Sequence, residues 1–343
     1  MVTKIAADPR IDPRIKAMFG ALTLPESPDV PDRETLLARA NSEGAKARTA
    51  MIEDFLDQMD NEAVASSNGL TSRWESLVSV PDGNTIRIHF IRPDNSEIVP
   101  CVYYIHGGGM AYLSAERGFF KAWGRVIAAQ GVAVTMIDFR NCVTASSVPE
   151  VAPYPAGLND CVSGLKWVHA NAATLGIDPK RIIIAGESGG GNLTLAAGMK
   201  LKRDGDIGLI KGLYAMCPYL AGRWPAPDCP SSVENNGILI DLHNNNGAIG
   251  YGVEAFNARD PLAWPGLAGE SDVQGLPNVV ITVNECDPLR DEGINFYRLL
   301  LRAGVPARCR QAMGTIHATE VFPALCPDIS RDTARDMAAF CKG

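Results

Sequence analysis

Apolar residues after about residue 100 follow two alternating patterns. Short, nearly uninterrupted apolar runs are typical of strands buried on both faces. They occur at 101–105, 132–139, 181–185, 212–217 and 278–284; the more polar stretch 306–311 is also predicted as a strand. Stretches with apolar residues three and four positions apart are typical of packed helices. They occur at 115–130, 158–175, 193–199, 292–303 and 330–340. Because the two kinds alternate, we expect an α/β fold with a mostly parallel central sheet flanked by helices.

Two stretches do not fit this alternation. Residues 1–65 turn helical from Asp32 onward, and their apolar stripes predict amphipathic helices that need another surface to cover them. Residues 218–265 lack a strict period and are rich in proline and asparagine, so they look like an insertion between two strands. The sequence therefore divides into four segments, with the sheet in the second and fourth. The segments are 1–65, 66–217, 218–265 and 266–343.

The apolar run 181–185 ends in Gly186-Glu187-Ser188-Gly189-Gly190, which matches the G-x-S-x-G pattern. A serine between a buried strand and a helix must lie in a very tight turn. Flanking glycines allow that turn and hold the hydroxyl out at the edge of the sheet. The helix start behind it offers N–H groups and partial positive charge. A glycine-rich loop that only packs closely is the alternative; we predict that Ser188 is a catalytic nucleophile.

A serine hydroxyl is a weak nucleophile until a base takes its proton. In folds with this serine turn, the acid and then the histidine follow the serine along the chain. Two histidines come after Ser188. His243 lies beside asparagines in the irregular segment, which is typical of a surface histidine. His317 follows the last predicted strand, where a loop at the carboxyl edge of the sheet would bring it over the serine, so we predict that His317 is the base.

The acid that orients this base is expected at the end of the strand 278–284. Asp287 precedes a proline that stops the strand and turns the chain, and it is our choice for the catalytic acid. Glu285 is the competing candidate. Asp291 and Glu292 are expected to cap the first turn of the next helix, where negative side chains are favoured.

An oxyanion needs hydrogen-bond donors, and His106-Gly107-Gly108-Gly109 follows a buried strand. We call these four residues the oxyanion loop. Without Cβ atoms, successive N–H groups can converge on one developing negative charge, as in the H-G-G-G loop of lipases and esterases. We predict that the N–H groups of Gly108, Gly109 and Gly189 form the oxyanion hole. His106 is expected to orient the loop through hydrogen bonds.

Composition narrows the classes of partner. The chain has 343 residues, a formal charge of -7 and a pI near 5.3, so we expect neither nucleic acid nor a membrane as partner. The start of the chain lacks an apolar signal region and no stretch reaches membrane-spanning length, which predicts a cytoplasmic protein. The nine cysteines are scattered without C-x-x-C pairs. We expect reduced core thiols, with neither disulfides nor a zinc site.

Three motifs together resemble the hormone-sensitive lipase family of bacterial esterases. They are the oxyanion loop, the stretch 186–192 and Asp287-Pro288-Leu289-Arg290-Asp291-Glu292-Gly293. The resemblance implies an α/β-hydrolase fold with a helical cap made of residues 1–65 and 218–265. It also implies hydrolysis of carboxylic esters by Ser188, Asp287 and His317 without a metal or cofactor. Most of the family has aspartate and alanine where this chain has Glu187 and Gly189, a difference expected to affect packing of the serine turn more than chemistry.

A capped site should enclose small ester substrates, and we expect short- to medium-chain acyl esters. Candidate wall residues are Met110, Ala111 and Tyr112 after the oxyanion loop, with Met18 and Phe19 from the N-terminal segment. An amidase, peptidase or lactonase would use the same three residues, and a receptor on this scaffold would be expected to lack one of them. A homodimer is possible.

Overall fold

A computed structural model describes residues 3–343, and its centre is one eight-stranded sheet. The strands are β1 (Leu70–Val78), β2 (Thr85–Pro93), β3 (Val99–Ile105), β4 (Ala133–Asp138), β5 (Ile177–Glu187), β6 (Gly212–Met216), β7 (Asn278–Asn284) and β8 (Ala307–Ala312). Their order is β1-β2-β4-β3-β5-β6-β7-β8. Strand β2 is antiparallel to β1 and β4, and all other neighbours are parallel. The predicted mostly parallel sheet is confirmed.

Helices surround and precede the sheet. They are α1 (Lys4–Ala7), α2 (Pro13–Phe19), α3 (Arg33–Ala40), α4 (Glu43–Asp57), α5 (Gly118–Ala128), α6 (Ala156–Ala170), α7 (Ala172–Leu175), α8 (Gly189–Asp204), α9 (Ser231–Glu234), α10 (Asn246–Tyr251), α11 (Val253–Asn257), α12 (Glu270–Val273), α13 (Arg290–Arg302) and α14 (Pro327–Lys342). Short 3₁₀ turns lie at Ile207–Leu209, Pro265–Leu267 and Thr319–Val321. No helix within residues 3–343 is apolar over the length needed to cross a membrane.

Two hydrophobic cores lie on the two faces of the sheet. Successive residues of a strand point to opposite faces, so Tyr103 and Ile105 of β3 join one core while Val102 and Tyr104 join the other. Helices α6, α8 and α13 cover the first face, and α5 and α14 cover the second. Because both faces are covered, the central strands are apolar at nearly every position, which is the pattern that predicted them.

The N-terminal helices cover less apolar surface than their pattern predicts. Leu56 at the end of α4 and Met59 just after it are buried, but Met51, Ile52 and Phe55 are 70%, 49% and 42% exposed. The prediction that this whole stripe is covered is therefore wrong. The reason is that α4 lies over a cavity on one side and docks on α5 largely through polar contacts, such as the carboxylate of Asp57 accepting a hydrogen bond from the Gly118 N–H at 2.5 Å.

The segment between β6 and β7 is tied to the N-terminal region by polar contacts. Asn245 accepts a hydrogen bond from the N–H of Val30 at 2.9 Å and donates one to the Val30 carbonyl at 2.8 Å. Arg10 bonds to Glu234 at 2.7 Å and to Asn235 at 2.9 Å. These contacts bring the two irregular segments of the sequence together on the same side of the sheet, at the carboxyl ends of the parallel strands.

Candidate active site

Ser188 lies in the tight turn between β5 and α8, with φ +56° and ψ -119°. The flanking glycines are required by close backbone approach. A Cβ added at Gly186 would lie 2.5 Å from the Gly190 carbonyl oxygen, and one added at Gly190 would lie 2.0 Å from the carbonyl oxygen of Ile105. The strained serine conformation is held by a hydrogen bond from its N–H to the Met216 carbonyl at 2.9 Å. The turn therefore presents the Ser188 hydroxyl at the edge of the sheet.

His317 and Asp287 complete a continuous hydrogen-bonded chain from this hydroxyl. The Nε2 atom of His317 lies 2.8 Å from Ser188 Oγ, and its Nδ1 atom lies 2.8 Å from Asp287 Oδ2. Asp287 follows β7 and its Oδ1 atom accepts the Leu289 N–H at 2.9 Å, so the carboxylate is fixed from both oxygens. The structure thus brings together the three residues that the sequence singled out.

The competing acids and the second histidine bond elsewhere. Glu285 accepts the Gly314 N–H at 2.7 Å, and His243 contacts the Ser232 carbonyl at 2.8 Å through Nε2. Asp291 and Glu292 lie in the first turn of α13, but their carboxylates accept hydrogen bonds from residues of the segment after β6. Both residues therefore lie where helix caps were expected, but their carboxylates connect α13 to the segment after β6.

The oxyanion loop follows β3 and faces Ser188. Gly108 and Gly109 have φ of +100° and +63°, which glycine adopts readily. Within residues 3–343, the N–H groups of Gly108, Gly109 and Gly189 donate no hydrogen bond. A Cβ added at Gly189 would lie 2.5 Å from Met110 N and 2.8 Å from Gly109 N. The Gly189 backbone is therefore in close contact with the loop, and an alanine here would displace the predicted oxyanion donors as well as repack the turn.

His106 lies away from the serine and holds the loop. Its Nδ1 atom is 2.8 Å from the Gly107 carbonyl, Nε2 is 3.4 Å from Asp138 Oδ1, and the ring stacks on Phe139 with centroids 4.4 Å apart. The imidazole is fully buried. These contacts fit an orienting residue and leave His317 as the histidine beside Ser188.

Comparisons with known proteins decide the family. A sequence model of the family described as alpha/beta hydrolase fold matches residues 102–321. The chain belongs to this α/β-hydrolase family. The solved structure of esterase Est22 has 64% sequence identity over all of both chains, with a TM-score of 0.99.

More distant relatives agree. Brefeldin A esterase, described as a bacterial homologue of human hormone-sensitive lipase, is 34% identical, covers 98% of this chain and 94% of its own, and has a TM-score of 0.86. Carboxylesterase NlhH from Mycobacterium tuberculosis is 28% identical over 99% of this chain and 98% of its own length. The predicted membership of the hormone-sensitive lipase family is confirmed, and this α/β-hydrolase is a serine carboxylesterase.

A cavity of about 640 Å³ opens in front of Ser188 and His317 in this hydrolase. Helices α3 and α4, the stretch after the oxyanion loop, and the segment after β6 all contribute to its wall. Of the predicted wall residues, Ala111 and Tyr112 line the cavity. Wall residues that the sequence did not identify include Leu36, Ile52, Phe119, Val143, Tyr219 and Leu239. The sequence contains a signal for Tyr219, because this residue follows the carboxyl end of β6, at the sheet edge where Ser188 lies.

The predictions of Met110, Met18 and Phe19 as wall residues are wrong. Met110 has φ +58° and is 1% exposed, so its side chain turns into the core behind the loop. Phe19 packs edge-on against the rings of Phe55 and Phe322. Met18 is 41% exposed at the surface of α2 and does not border the cavity.

Among the described residues, Cys217, Asp287 and His317 form the group whose potential metal-ligand atoms lie within 4.8 Å of one another. Asp287 and His317 are already hydrogen-bonded to each other, as part of the series of contacts that leads to Ser188. Burial raises the pKa of the Cys217 thiol well above its ordinary value, which disfavours the thiolate that binds metals. The arrangement fits proton transfer better than metal binding.

Electrostatics around His317 favour its protonated form. Burial is the largest single effect and lowers the pKa of the imidazole. The charge and hydrogen bond of Asp287, together with smaller contributions from Glu187 and Glu320, outweigh burial, so the pKa is raised above 6.5. A base must be neutral to accept the serine proton. The active form is therefore present above this raised pKa and is lost as the pH falls through it.

We expect kcat/KM to rise with pH through a midpoint above 6.5. A pH-stat assay of butyrate ester hydrolysis between pH 5 and 9 measures this profile. Circular dichroism over the same range checks that the enzyme stays folded. A flat profile would show that His317 does not act as the base, and a midpoint below 6.5 would show that its surroundings do not raise its pKa.

Proposed function

We propose that this carboxylesterase works through an acyl-enzyme on Ser188. The observation that supports it most directly is the pair of 2.8 Å contacts that link Ser188 Oγ, the two ring nitrogens of His317 and Asp287. Asp287 keeps Nδ1 protonated, so Nε2 is free to accept the hydroxyl proton.

The reaction then has two halves. Ser188 Oγ bonds to the ester carbonyl carbon while its proton passes to His317 Nε2, and the carbonyl oxygen becomes an oxyanion. His317 returns that proton to the leaving alcohol as the ester C–O bond breaks, which leaves an acyl-serine. Water attacks this intermediate with the same base, releases the carboxylic acid and restores the serine.

The N–H groups of Gly108, Gly109 and Gly189 are proposed to stabilise the oxyanion in both halves. Each is free of other hydrogen bonds within the described chain, and the Gly189 backbone lies in close contact with Gly109 of the loop. Such donors are fixed in place before the charge forms, so they cost no reorganisation during the reaction.

For the substrate, we propose short- to medium-chain acyl esters held under a cap made of residues 1–65 and 218–265. The cavity of about 640 Å³ is of the size that encloses small ligands, and both segments contribute to its wall. Est22 has been solved with p-nitrophenol, the alcohol released from p-nitrophenyl esters. Such esters are therefore suitable probes for this chain.

We expect kcat/KM on p-nitrophenyl esters to peak at acyl chains of roughly two to eight carbons, because each enclosed CH₂ contributes at most about 0.8 kcal/mol until the cavity is full. The series acetate, butyrate, octanoate and palmitate keeps one leaving group, so only the acyl part changes. Ser188→Ala supplies the spontaneous background. Hydrolysis of the palmitate or of emulsified triglyceride as fast as the butyrate would instead indicate an open groove.

We also propose a cytoplasmic location, supported by nine unpaired cysteines, eight of them buried. A homodimer stays a prediction.

A further inference from the structure

Glu187, the residue before the nucleophile, links β5 directly to the oxyanion loop. Its side chain is buried, and its Oε1 atom accepts the Gly107 N–H at 2.6 Å. Its Oε2 atom accepts a hydrogen bond from the buried hydroxyl of Tyr104 on β3. One carboxyl group therefore joins the strand that carries the nucleophile to the loop that carries two of the oxyanion donors.

The loop is shaped to receive this carboxyl. A Cβ added at Gly107 would lie only 2.5 Å from Glu187 Oε1, so glycine leaves the room that the contact needs. The Gly107 carbonyl accepts from His106 Nδ1 at 2.8 Å, so both backbone polar groups of Gly107 are held by the protein. The N–H groups of the next two residues, Gly108 and Gly109, have no hydrogen-bond acceptor among residues 3–343 and border the cavity. Fixing Gly107 therefore fixes where these two N–H groups lie.

The charge of Glu187 has two opposing effects. Burial raises its pKa to about 7, although Tyr104 and the Gly107 N–H stabilise the carboxylate. The other titratable groups that it influences or that influence it are His106, Cys217 and His317. A negative charge here favours the imidazolium of His317 but repels an oxyanion. The hydrogen bond to Gly107 has no such opposing effect, because a neutral acceptor also makes it, although less strongly than a carboxylate does.

We propose that Glu187 is a positioning residue that fixes the oxyanion loop relative to Ser188 by accepting the Gly107 N–H. This inference rests on the proposed acyl-enzyme mechanism. It assigns to Glu187 a part in transition-state stabilisation, where the sequence suggested only packing of the serine turn.

The test compares Glu187→Gln with Glu187→Met. Glutamine keeps an oxygen for Gly107 and an N–H₂ group for the Tyr104 oxygen, whereas methionine keeps the volume and removes both oxygens. We expect Glu187→Met to lower kcat/KM on p-nitrophenyl butyrate by about 100-fold with KM nearly unchanged, because the oxyanion donors move. Glu187→Gln should stay within about fivefold of the wild type at its plateau, with its acid limb shifted to lower pH since one negative charge near His317 is lost.

Inhibition by a trifluoromethyl ketone measures how well the enzyme stabilises an oxyanion. Ser188 Oγ adds to the ketone carbon, the serine proton passes to His317, and the carbonyl oxygen takes the negative charge. The inhibition constant should rise in Glu187→Met by about the factor lost in kcat/KM, and change little in Glu187→Gln. If the ketone fails to inhibit the wild type, the acyl-enzyme mechanism itself is at fault and not the role of Glu187.

Glu320 provides a matched control. It is equally buried and also raises the pKa of His317, but its carboxylate accepts from Asn284 and does not touch the oxyanion loop. Glu320→Met should lower the stability of the fold. Its ketone inhibition constant, compared with its KM, should rise much less than in Glu187→Met.

The proposal is overturned if Glu187→Met keeps kcat/KM within threefold of the wild type, or if Glu187→Gln is as impaired as Glu187→Met. Should Glu187→Met not fold, Glu187→Ala takes its place with the same criteria.

Discussion

Replacing Ser188 by alanine is expected to lower kcat by about 10⁶-fold while the fold stays intact. Alanine keeps the backbone conformation that serine adopts in the turn, with φ +56°, and removes only the oxygen that bonds to the acyl group. What remains is the rate that the oxyanion donors and substrate binding can provide. Single-turnover and steady-state assays on p-nitrophenyl butyrate measure the loss.

Three observations serve as controls for this result. Purification away from host esterases must bring the activity of the variant down to a constant floor, and thermal unfolding should match the wild type. Labelling with a fluorophosphonate, which modifies an activated serine, should occur in the wild type and disappear in the variant. Turnover near the wild-type rate in Ser188→Ala would reject the acyl-enzyme mechanism altogether.

Asp287→Asn is expected to lower kcat by about 10⁴-fold. The asparagine amide can present an N–H to His317 Nδ1, which favours the tautomer with its proton on Nε2, and that nitrogen then cannot accept the Ser188 proton. The buried imidazolium also loses the negative charge that raises its pKa. A pH profile should accordingly show the residual activity with its midpoint shifted down.

Glu285→Gln is the matched control for this substitution. Glu285 leaves the same strand two residues earlier, but its carboxylate accepts the Gly314 N–H and does not reach His317. The control should keep kcat within about threefold of the wild type. A loss in Glu285→Gln as large as in Asp287→Asn would mean that the acid has been assigned to the wrong residue.

The parallel sheet and the three predicted catalytic residues could be predicted from the sequence, because both depend on local patterns that follow one another in a fixed order. Residues 278–284 predict a strand with the bounds that β7 has, because the apolar run from Val279 to Val283 is interrupted only by Thr282. This run is buried in the structure, whereas Asn278 at the start of the strand is exposed. Once the strands were in order, Asp287 and His317 had to lie at the same sheet edge as Ser188. The positions of the strand ends therefore predict which residues lie near the Ser188 hydroxyl.

The cavity wall and the role of Glu187 could not be predicted in the same way. Met110 adjoins the oxyanion loop in sequence, yet a positive φ turns its side chain into the core. Ile52 comes from a helix whose position depends on contacts with residues far along the chain. Glu187 meets Gly107 across 80 residues of sequence, and only the packed sheet shows that its carboxyl fits where a Cβ is missing.

The order of strands in the sheet also bears on when activity appears during folding. Ser188 follows β5 in the middle of the sheet, whereas His317 follows β8 at its edge, 129 residues further along the chain. The hydroxyl and the imidazole can meet only after β6, β7 and β8 have been added one beside another, and such long-range pairings form late because chain entropy opposes them. Recovery of esterase activity after dilution from denaturant is therefore a signal of the last strand docking, and it should lag behind the recovery of helical circular dichroism.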